Sequence, residues 1–291
     1  MNLFVDLLLP LGLALVMFVL GLGLVPDDFR RILQRPRAFF TGAASQLLLI
    51  PCVTVALIAP VPLEPALATG MMILAVCPGG PVSNMLTRLT GGDVALSVTL
   101  TGTMVLLSIF TLPPLTALVA GHFLQTAPPD FSVTRLVMTM LLAAALPVLL
   151  GFGVRLSAPA FVARTEPAAF RLAAVIFTLI VVGAVAANWA LLAERFAVLA
   201  PLCLALMLSL LVLGYALARL LRLTEREARA IAIETAVQNG TLGVTVGGLV
   251  GGGVVVGNEF LMPSAVYGVL SYIVVIPAVL LYARLRPISP R

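Results

Sequence analysis

The chain has 291 residues, 61% of them hydrophobic and only 10% charged, with a mean hydropathy of +1.17 and a net charge of +5. That is more apolar surface than a soluble domain of this length can bury, so the composition excludes a soluble enzyme or binding module and indicates an integral protein of the lipid bilayer. All 17 basic residues are arginines standing mostly in short links between apolar runs, so the positive charge reports membrane topology and does not point to nucleic acid as a partner.

Each apolar run is long enough to cross the hydrocarbon as a helix of about 20 residues, and nine are expected. The first runs from about Leu3 to Val25; it lacks a basic leading region and a small-residue cleavage site, so it is expected to remain as a span. The link Pro26 to Arg37 carries Arg30, Arg31, Arg35 and Arg37, and the second span runs from about Ala38 to Ile58. After a base-free link, the third span (about Ala66 to Leu89) is interrupted by Cys77-Pro78-Gly79-Gly80-Pro81, and the fourth runs from about Val94 to Ala120. The fifth (about Ser132 to Val154) leads through Arg155, Arg164 and Arg171 to the sixth (about Leu172 to Ala193). A very short link at Glu194-Arg195 precedes the seventh (about Phe196 to Leu217), and Arg219, Arg222, Arg226 and Arg229 precede the eighth (about Ala230 to Val255). The ninth runs from about Phe260 to Tyr282 and ends among Arg284, Arg286 and Arg291.

Fifteen of the 17 arginines fall at alternate links. By the positive-inside rule this places the N-terminus outside and the C-terminus in the cytoplasm. No further domain is expected, so residues 1–291 read as a single membrane unit. The third and eighth spans, the two that are broken, lie five crossings apart, and an odd offset reverses direction. Pairing the first span with the sixth, the second with the seventh, the third with the eighth and the fourth with the ninth gives an inverted repeat. Broken helices in matching positions of inverted halves point to the binding site of a secondary transporter.

The residues at the two breaks carry chemistry. Pro78 and Pro81 lack an N–H, and Gly79-Gly80 weaken the helix further, so the backbone should unwind there. Its freed carbonyls suit a cation, and the N–H groups opening the next half-helix suit an anion; the plainer alternative is a packing kink. Glu234 is the single acid in the two broken spans, where an ionisable group is costly and by default functional, although a protonated structural acid is the other reading. Ser97 and Thr101, four apart, share a helix face, where each hydroxyl can also bond back to its own helix. Gln46 could equally be an interhelical hydrogen bond. With Ser83, Asn84, Glu234 and Gln238 these residues form an all-oxygen set with one carboxylate, which suits a hard monovalent cation. Cys52, Cys77 and Cys203 are odd in number and without ligand spacing, so they read as packing residues.

The chain resembles the bile acid:sodium symporter family. The likeness lies in Cys77-Pro78-Gly79-Gly80 with Ser83-Asn84, Val94-Ala95-Leu96-Ser97-Val98, Gln46 before Ile50-Pro51, Glu234 with Gln238-Asn239, and Met17-Phe18 with Gly21-Leu22-Gly23-Leu24 ahead of Pro26. It implies an all-α polytopic fold of nine transmembrane helices, like members that lack a first helix, in the bacterial inner membrane. Its panel would be residues 1–30 and 132–193, and its core residues 38–120 and 196–284, where the two broken helices cross. It further implies two Na+ ions. One would be held by Ser83, Asn84, Ser97, Thr101 and Glu234; the other by Gln46, Gln238, Glu234 and the main-chain oxygens of Thr235 and Val237. Asn239 and the half-helix N-termini at Val82 and Gly240 would face an organic anion. Pro81 stands where the family commonly has threonine, which bears on the substrate.

These features lead to a sodium-coupled symporter of a small organic anion, such as a bile acid-like, keto acid or pantoate-like carboxylate, working by alternating access. A proton-coupled carrier or exporter using Glu234 as relay is the alternative within transport, and a non-transporting membrane receptor is one from another class. An enzyme is not expected, because no nucleophile with a base and no paired acids are visible; His122, the sole histidine, lies in a link.

Overall fold

The computed structural model of the chain describes residues 9–124, 141–187, 189–251 and 257–275, with single positions 134, 137, 138 and 277. Every described element is helical, and the one β-type pairing among them is an antiparallel bridge between Gly79 and Gln238. The helices are α1 (Leu9–Gly23), α2 (Pro26–Gln34), α3 (Pro36–Ala44), α4 (Ile50–Ile58), α5 (Pro65–Val76), α6 (Pro81–Leu89), α7 (Val94–Leu124), α8 (Leu146–Ser157), α9 (Pro159–Ala187), α10 (Trp189–Leu220), α11 (Glu225–Ala236), α12 (Gly240–Val250) and α13 (Met262–Leu270).

Proline does much of the punctuation. Pro26, Pro36, Pro65, Pro81 and Pro159 each open a helix, where the missing N–H breaks no helical bond. Three widened π turns, Ser45–Leu49, Leu141–Ala145 and Ser271–Val275, each end two residues before a proline, at Pro51, Pro147 and Pro277. A proline inside a helix clashes with the carbonyl four residues back, and a wider turn relieves that clash without ending the helix. In α7, Pro113 and Pro114 cannot bond to Ile109 and Phe110, and the helix bends by 61° between Val94–Ser108 and Phe110–Leu124.

Among the described residues, Pro36–Ile58 and Trp189–Leu220 are long and apolar enough to cross a membrane as unbroken helices. The two expected broken spans occur as pairs of half-helices, α5 with α6 (12 and 9 residues) and α11 with α12 (12 and 11 residues). Neither half alone reaches the roughly 20 residues that a crossing needs. Large apolar side chains such as Leu149, Leu150, Phe161, Leu179 and Trp189 are more than half exposed on α8 to α10, as an apolar solvent permits. α1 packs closely on α8 and α9, with backbones so near that a side chain at Gly21 would strike the Val148 carbonyl and one at Gly151 the Phe18 carbonyl.

Several boundaries differ from the sequence expectation. The sixth helix begins at Pro159 and not near Leu172, so Arg164 and Arg171 lie inside α9, and the fourth continues in α7 through His122 to Leu124. The link Pro26 to Arg37 is mostly the helix α2, whose polar and apolar residues alternate at helical spacing. Glu194 and Arg195 lie inside α10, which begins at Trp189, and not between spans. Arg195 is retained there because it pairs with Glu64 at 2.6 Å and approaches Glu194 and Glu259 at 3.6 and 3.5 Å. The start of the first span, most of the link before the fifth and its opening turns, the end of the eighth and the end of the ninth lie outside the described residues.

Candidate cation and anion site

The two breaks meet. α5 ends because Cys77 is extended (ψ 145°) before Pro78, and α11 ends at Val237, also extended (φ −113°, ψ 92°). The unwound stretches run antiparallel: the Gly80 N–H donates to the Val237 carbonyl at 3.1 Å, and the Asn239 N–H donates to the Pro78 carbonyl at 2.9 Å. Buried backbone freed from one helix is thereby satisfied by the other, which is what permits unwinding away from water. The Tyr267 hydroxyl donates to the Ala236 carbonyl at 2.6 Å and holds the end of α11 in place.

Glu234, two residues before the end of α11, is fully buried beside this crossing. Its Oε1 accepts from Ser83 at 2.6 Å and from Ser97, and Thr101 Oγ1 stands 2.9 Å from each carboxylate oxygen. Asn84 Oδ1 lies 2.8 Å from Ser97 Oγ and 3.3 Å from Thr101 Oγ1. Three helices thus converge, α6, α7 and α11, each supplying oxygens, with the α5–α6 break setting where α6 begins. Thr87, one turn after Ser83 on α6, adds its hydroxyl 3.2 Å from Ser97. Sequence reasoning missed it, although its i+4 spacing from Ser83 was the signal.

Oxygens outnumber protons in this cluster. Ser97 carries one proton, yet Glu234 Oε1, Asn84 Oδ1 and Thr87 Oγ1 all lie within its bonding range. Thr101 likewise faces both carboxylate oxygens, Asn84 and the Ser97 carbonyl, so the backbone bond expected of it exists alongside the others. Ser83 is shared between Glu234 and the Gly80 carbonyl. A buried site with more acceptors than hydrogens has the chemistry that an alkali cation complements. Hydroxyls, an amide and a single carboxylate are a donor set whose low charge suits a monovalent ion.

Gln46 sits on the π turn Ser45–Leu49, a local widening that turns its side chain toward the crossing, where Oε1 accepts from the Gly79 N–H at 3.3 Å. Gln238, in the break, donates from Nε2 to the Thr235 carbonyl at 2.7 Å. Gln46 Nε2 and Gln238 Oε1 are buried without a partner, as are Asn239 Nδ2, Thr241 Oγ1 and Ser264 Oγ. Orphaned polar atoms are costly in a dry interior and mark places where a ligand could complete the bonding. The Val237 carbonyl is already engaged by Gly80, and Thr235 points its hydroxyl to Ser45 at 2.8 Å.

Asn239 caps α12 through Oδ1, which accepts from the Leu242 N–H at 3.1 Å, leaving Nδ2 as its available donor. Gly240 opens α12, fully enclosed beside the Ser264 carbonyl. Pro81 opens α6 next to the crossing, and Val82 packs beside Leu86, Ile233 and Val237.

A model of the sodium bile acid symporter family matches residues 10–195, a stretch that contains the first break but ends before the second. The chain is 30% identical over 237 residues to a probable chloroplast sodium/metabolite cotransporter, BASS2, of Oryza sativa subsp. japonica, covering 81% of this chain and 55% of that protein. It is 30% identical over 235 residues to an uncharacterized sodium-dependent transporter, YocS, of Bacillus subtilis (strain 168), covering 80% of this chain and 71% of that one. An ileal sodium/bile acid cotransporter of Oryctolagus cuniculus is 34% identical over 101 residues, 35% of this chain and 29% of that protein. The chain thus spans little more than half the length of the plant relative. With a family model matching well over half of its residues and relatives aligned across four fifths of it, the chain belongs to the sodium bile acid symporter family.

Proposed function

We propose that this protein is a sodium-coupled symporter of a small organic anion, a carboxylate of the bile acid-like, keto acid or pantoate-like class. The observation that carries the proposal is the proton-poor oxygen cluster around Glu234 at the crossing of two unwound helices. One sodium ion would be held by Ser83, Asn84, Ser97, Thr101 and Glu234. A second would be held by Gln46, Gln238, Glu234 and the main-chain oxygens of Thr235 and Val237, where the unpartnered Oε1 of Gln238 supports the assignment. The free amide of Asn239 and the N-termini of α6 and α12, at Val82 and Gly240, would face the anion.

In this reading nine spans form an inverted repeat in a bacterial inner membrane, with the N-terminus outside and the C-terminus in the cytoplasm. A panel of residues 1–30 and 132–193 rocks against a core of 38–120 and 196–284, exposing the crossing to each side in turn. The close packing of α1 on α8 and α9 supports the panel as a unit. The names of the relatives, sodium/metabolite cotransporter and sodium-dependent transporter, support sodium as the coupling ion.

Two sodium ions entering with one monovalent anion carry net positive charge inward, a gain of about 2.3 kcal/mol per 100 mV. Purified protein in liposomes should therefore take up its anion only with sodium outside, faster with the interior negative, and should depolarise the vesicle as it does so. A thermal-shift screen of small carboxylates with and without sodium selects the anion to use. Electroneutral uptake that ignores sodium but follows a proton gradient would replace this reading with the proton-coupled one.

A further inference from the structure

The oxygens around Glu234 sit on separate rods, and those rods are tied together at one end by the N-terminal part of α11. Arg229 Nη1 donates to the Thr90 carbonyl at 2.8 Å, and its Nε donates to Glu225 Oε1 at 3.0 Å. Thr90 directly follows α6, the half-helix that carries Ser83 and Asn84. Nearby, the Asp93 N–H, just before α7, donates to the Arg226 carbonyl at 2.9 Å, and Arg35, just before α3, reaches Glu227 at 2.8 Å. Each segment that brings an oxygen to the cluster or the neighbouring amide pair is therefore anchored to α11 a few residues from Glu234.

Arg229 is the most constrained of these ties. The last carbonyls of a helix have no intrahelical partner, and α6 closes most of its own: Gly91, Thr90 and Gly92 donate to Arg88, Leu86 and Thr87. The Thr90 carbonyl is met by the guanidinium, which also suits the negative end of the α6 dipole. Glu225, one turn earlier on α11 and bound by the Tyr215 hydroxyl at 2.7 Å, fixes the plane of that guanidinium. Five residues of rigid helix, roughly 7.5 Å, separate Arg229 from Glu234, so the bridge at the helix ends sets the gap between α6 and α11 at the cluster.

We propose that Arg229 is a positioning residue for sodium: by joining the end of α6 to α11 it fixes Ser83 and Asn84 relative to Glu234 and thereby tunes the affinity of the cluster. The inference rests on the sodium reading given above.

The test is a sodium titration of thermal unfolding on the full chain in detergent, with choline replacing sodium at constant ionic strength. Arg229→Gln should raise the half-saturating sodium concentration about tenfold, the usual scale for losing an outer support of a metal site. Its melting temperature in choline should move little, and Arg229→Lys, which keeps the charge and one donor, should fall between the two. Arg88→Gln removes the same charge from an exposed position on α6 and should titrate as the wild type does. If Arg229→Gln titrates like the wild type, or Arg88→Gln shifts as far as Arg229→Gln, the positioning role is overturned. Should Arg229→Gln fail to fold, Glu225→Gln leaves the arginine in place but frees its orientation; a shift toward weaker sodium binding supports the role, and an unshifted curve overturns it. A wild type without any sodium response removes the sodium reading and this inference together, whereas a responsive wild type with an unchanged Arg229→Gln removes only the inference.

Discussion

A Cβ on Gly79 would lie 2.7 Å from Oε2 of Glu234, closer than real Cβ contacts come. The glycine in the first break is therefore a clearance for the acid of the second, and Gln46 Nε2 borders the same space at 3.7 Å. Gly79→Ala must push the carboxylate aside or part the crossing. Overpacking of this kind costs about 1–3 kcal/mol, so the variant should melt lower without sodium. It should also lose most of its sodium-dependent stabilisation, because the methyl group occupies the face between Glu234 and Gln46. Melting curves in choline and in sodium separate the two effects; a variant that is destabilised but fully sodium-responsive would place the cation elsewhere.

Glu234→Gln keeps the shape of the side chain and removes its charge. The hydroxyls of Ser83, Ser97 and Thr101 retain an acceptor, so the apo protein should fold, while the only negative charge in the cluster is gone. A ligand at 100 times its dissociation constant stabilises by about 2.7 kcal/mol, and that sodium-dependent increment should vanish in the variant. Proton-driven uptake that persists in wild-type liposomes without sodium but disappears in Glu234→Gln would instead make the acid a proton relay.

The sequence made the crossing legible because two apolar stretches combine helix-disrupting and polar residues within one short run, Cys77 to Asn84 and Glu234 to Gly240. The oxygens were legible for the same reason, since Gln46, Ser97, Thr101 and Glu234 stand out from their neighbours. The surroundings were not. Pro26 to Gln34 reads as a charged link, because a nine-residue amphipathic helix differs from a loop only in spacing. Glu194-Arg195 reads as a boundary because charge normally ends a span, but Glu64, brought there by the fold, pairs with Arg195. Thr87, Ser45 and Tyr267 act through partners ten or more residues away in the chain, which tertiary packing brings within reach. The π turn that orients Gln46 depends on Pro51, a relation visible in sequence once three such turns are seen ahead of three prolines.

Among the described residues, Thr101 is the one hydroxyl that reaches both oxygens of Glu234. Thr101→Val preserves volume and removes that bridge, leaving a buried carboxylate short of one donor, a loss worth about 1–3 kcal/mol. Ser97→Ala removes a second donor to the same acid. Since both act on one group, the double variant should depart from additivity by more than about 0.5 kcal/mol in a thermodynamic cycle on sodium binding. Additive losses would mean that the two hydroxyls serve separate functions, with Thr101 chiefly bonding the Ser97 carbonyl of its own helix.

The two ends of the Asn239 amide differ in their bonding. Oδ1 caps α12 by accepting from Leu242, and Nδ2 is buried with nothing to donate to. Asn239→Ala removes both and should cost stability on the scale of a lost cap, about 0.5–2 kcal/mol, which blurs any effect on transport. Asn239→Asp separates them. An aspartate accepts from the Leu242 N–H at least as well as asparagine and suits the positive end of α12, so the fold and the sodium-dependent melting shift should survive. It offers no donor, however, and sets a negative charge against an arriving carboxylate. Liposomes carrying Asn239→Asp should thus bind sodium yet take up little of the anion that the wild type accumulates. Uptake equal to the wild type's would assign Asn239 to capping alone and leave anion recognition to other groups at the crossing.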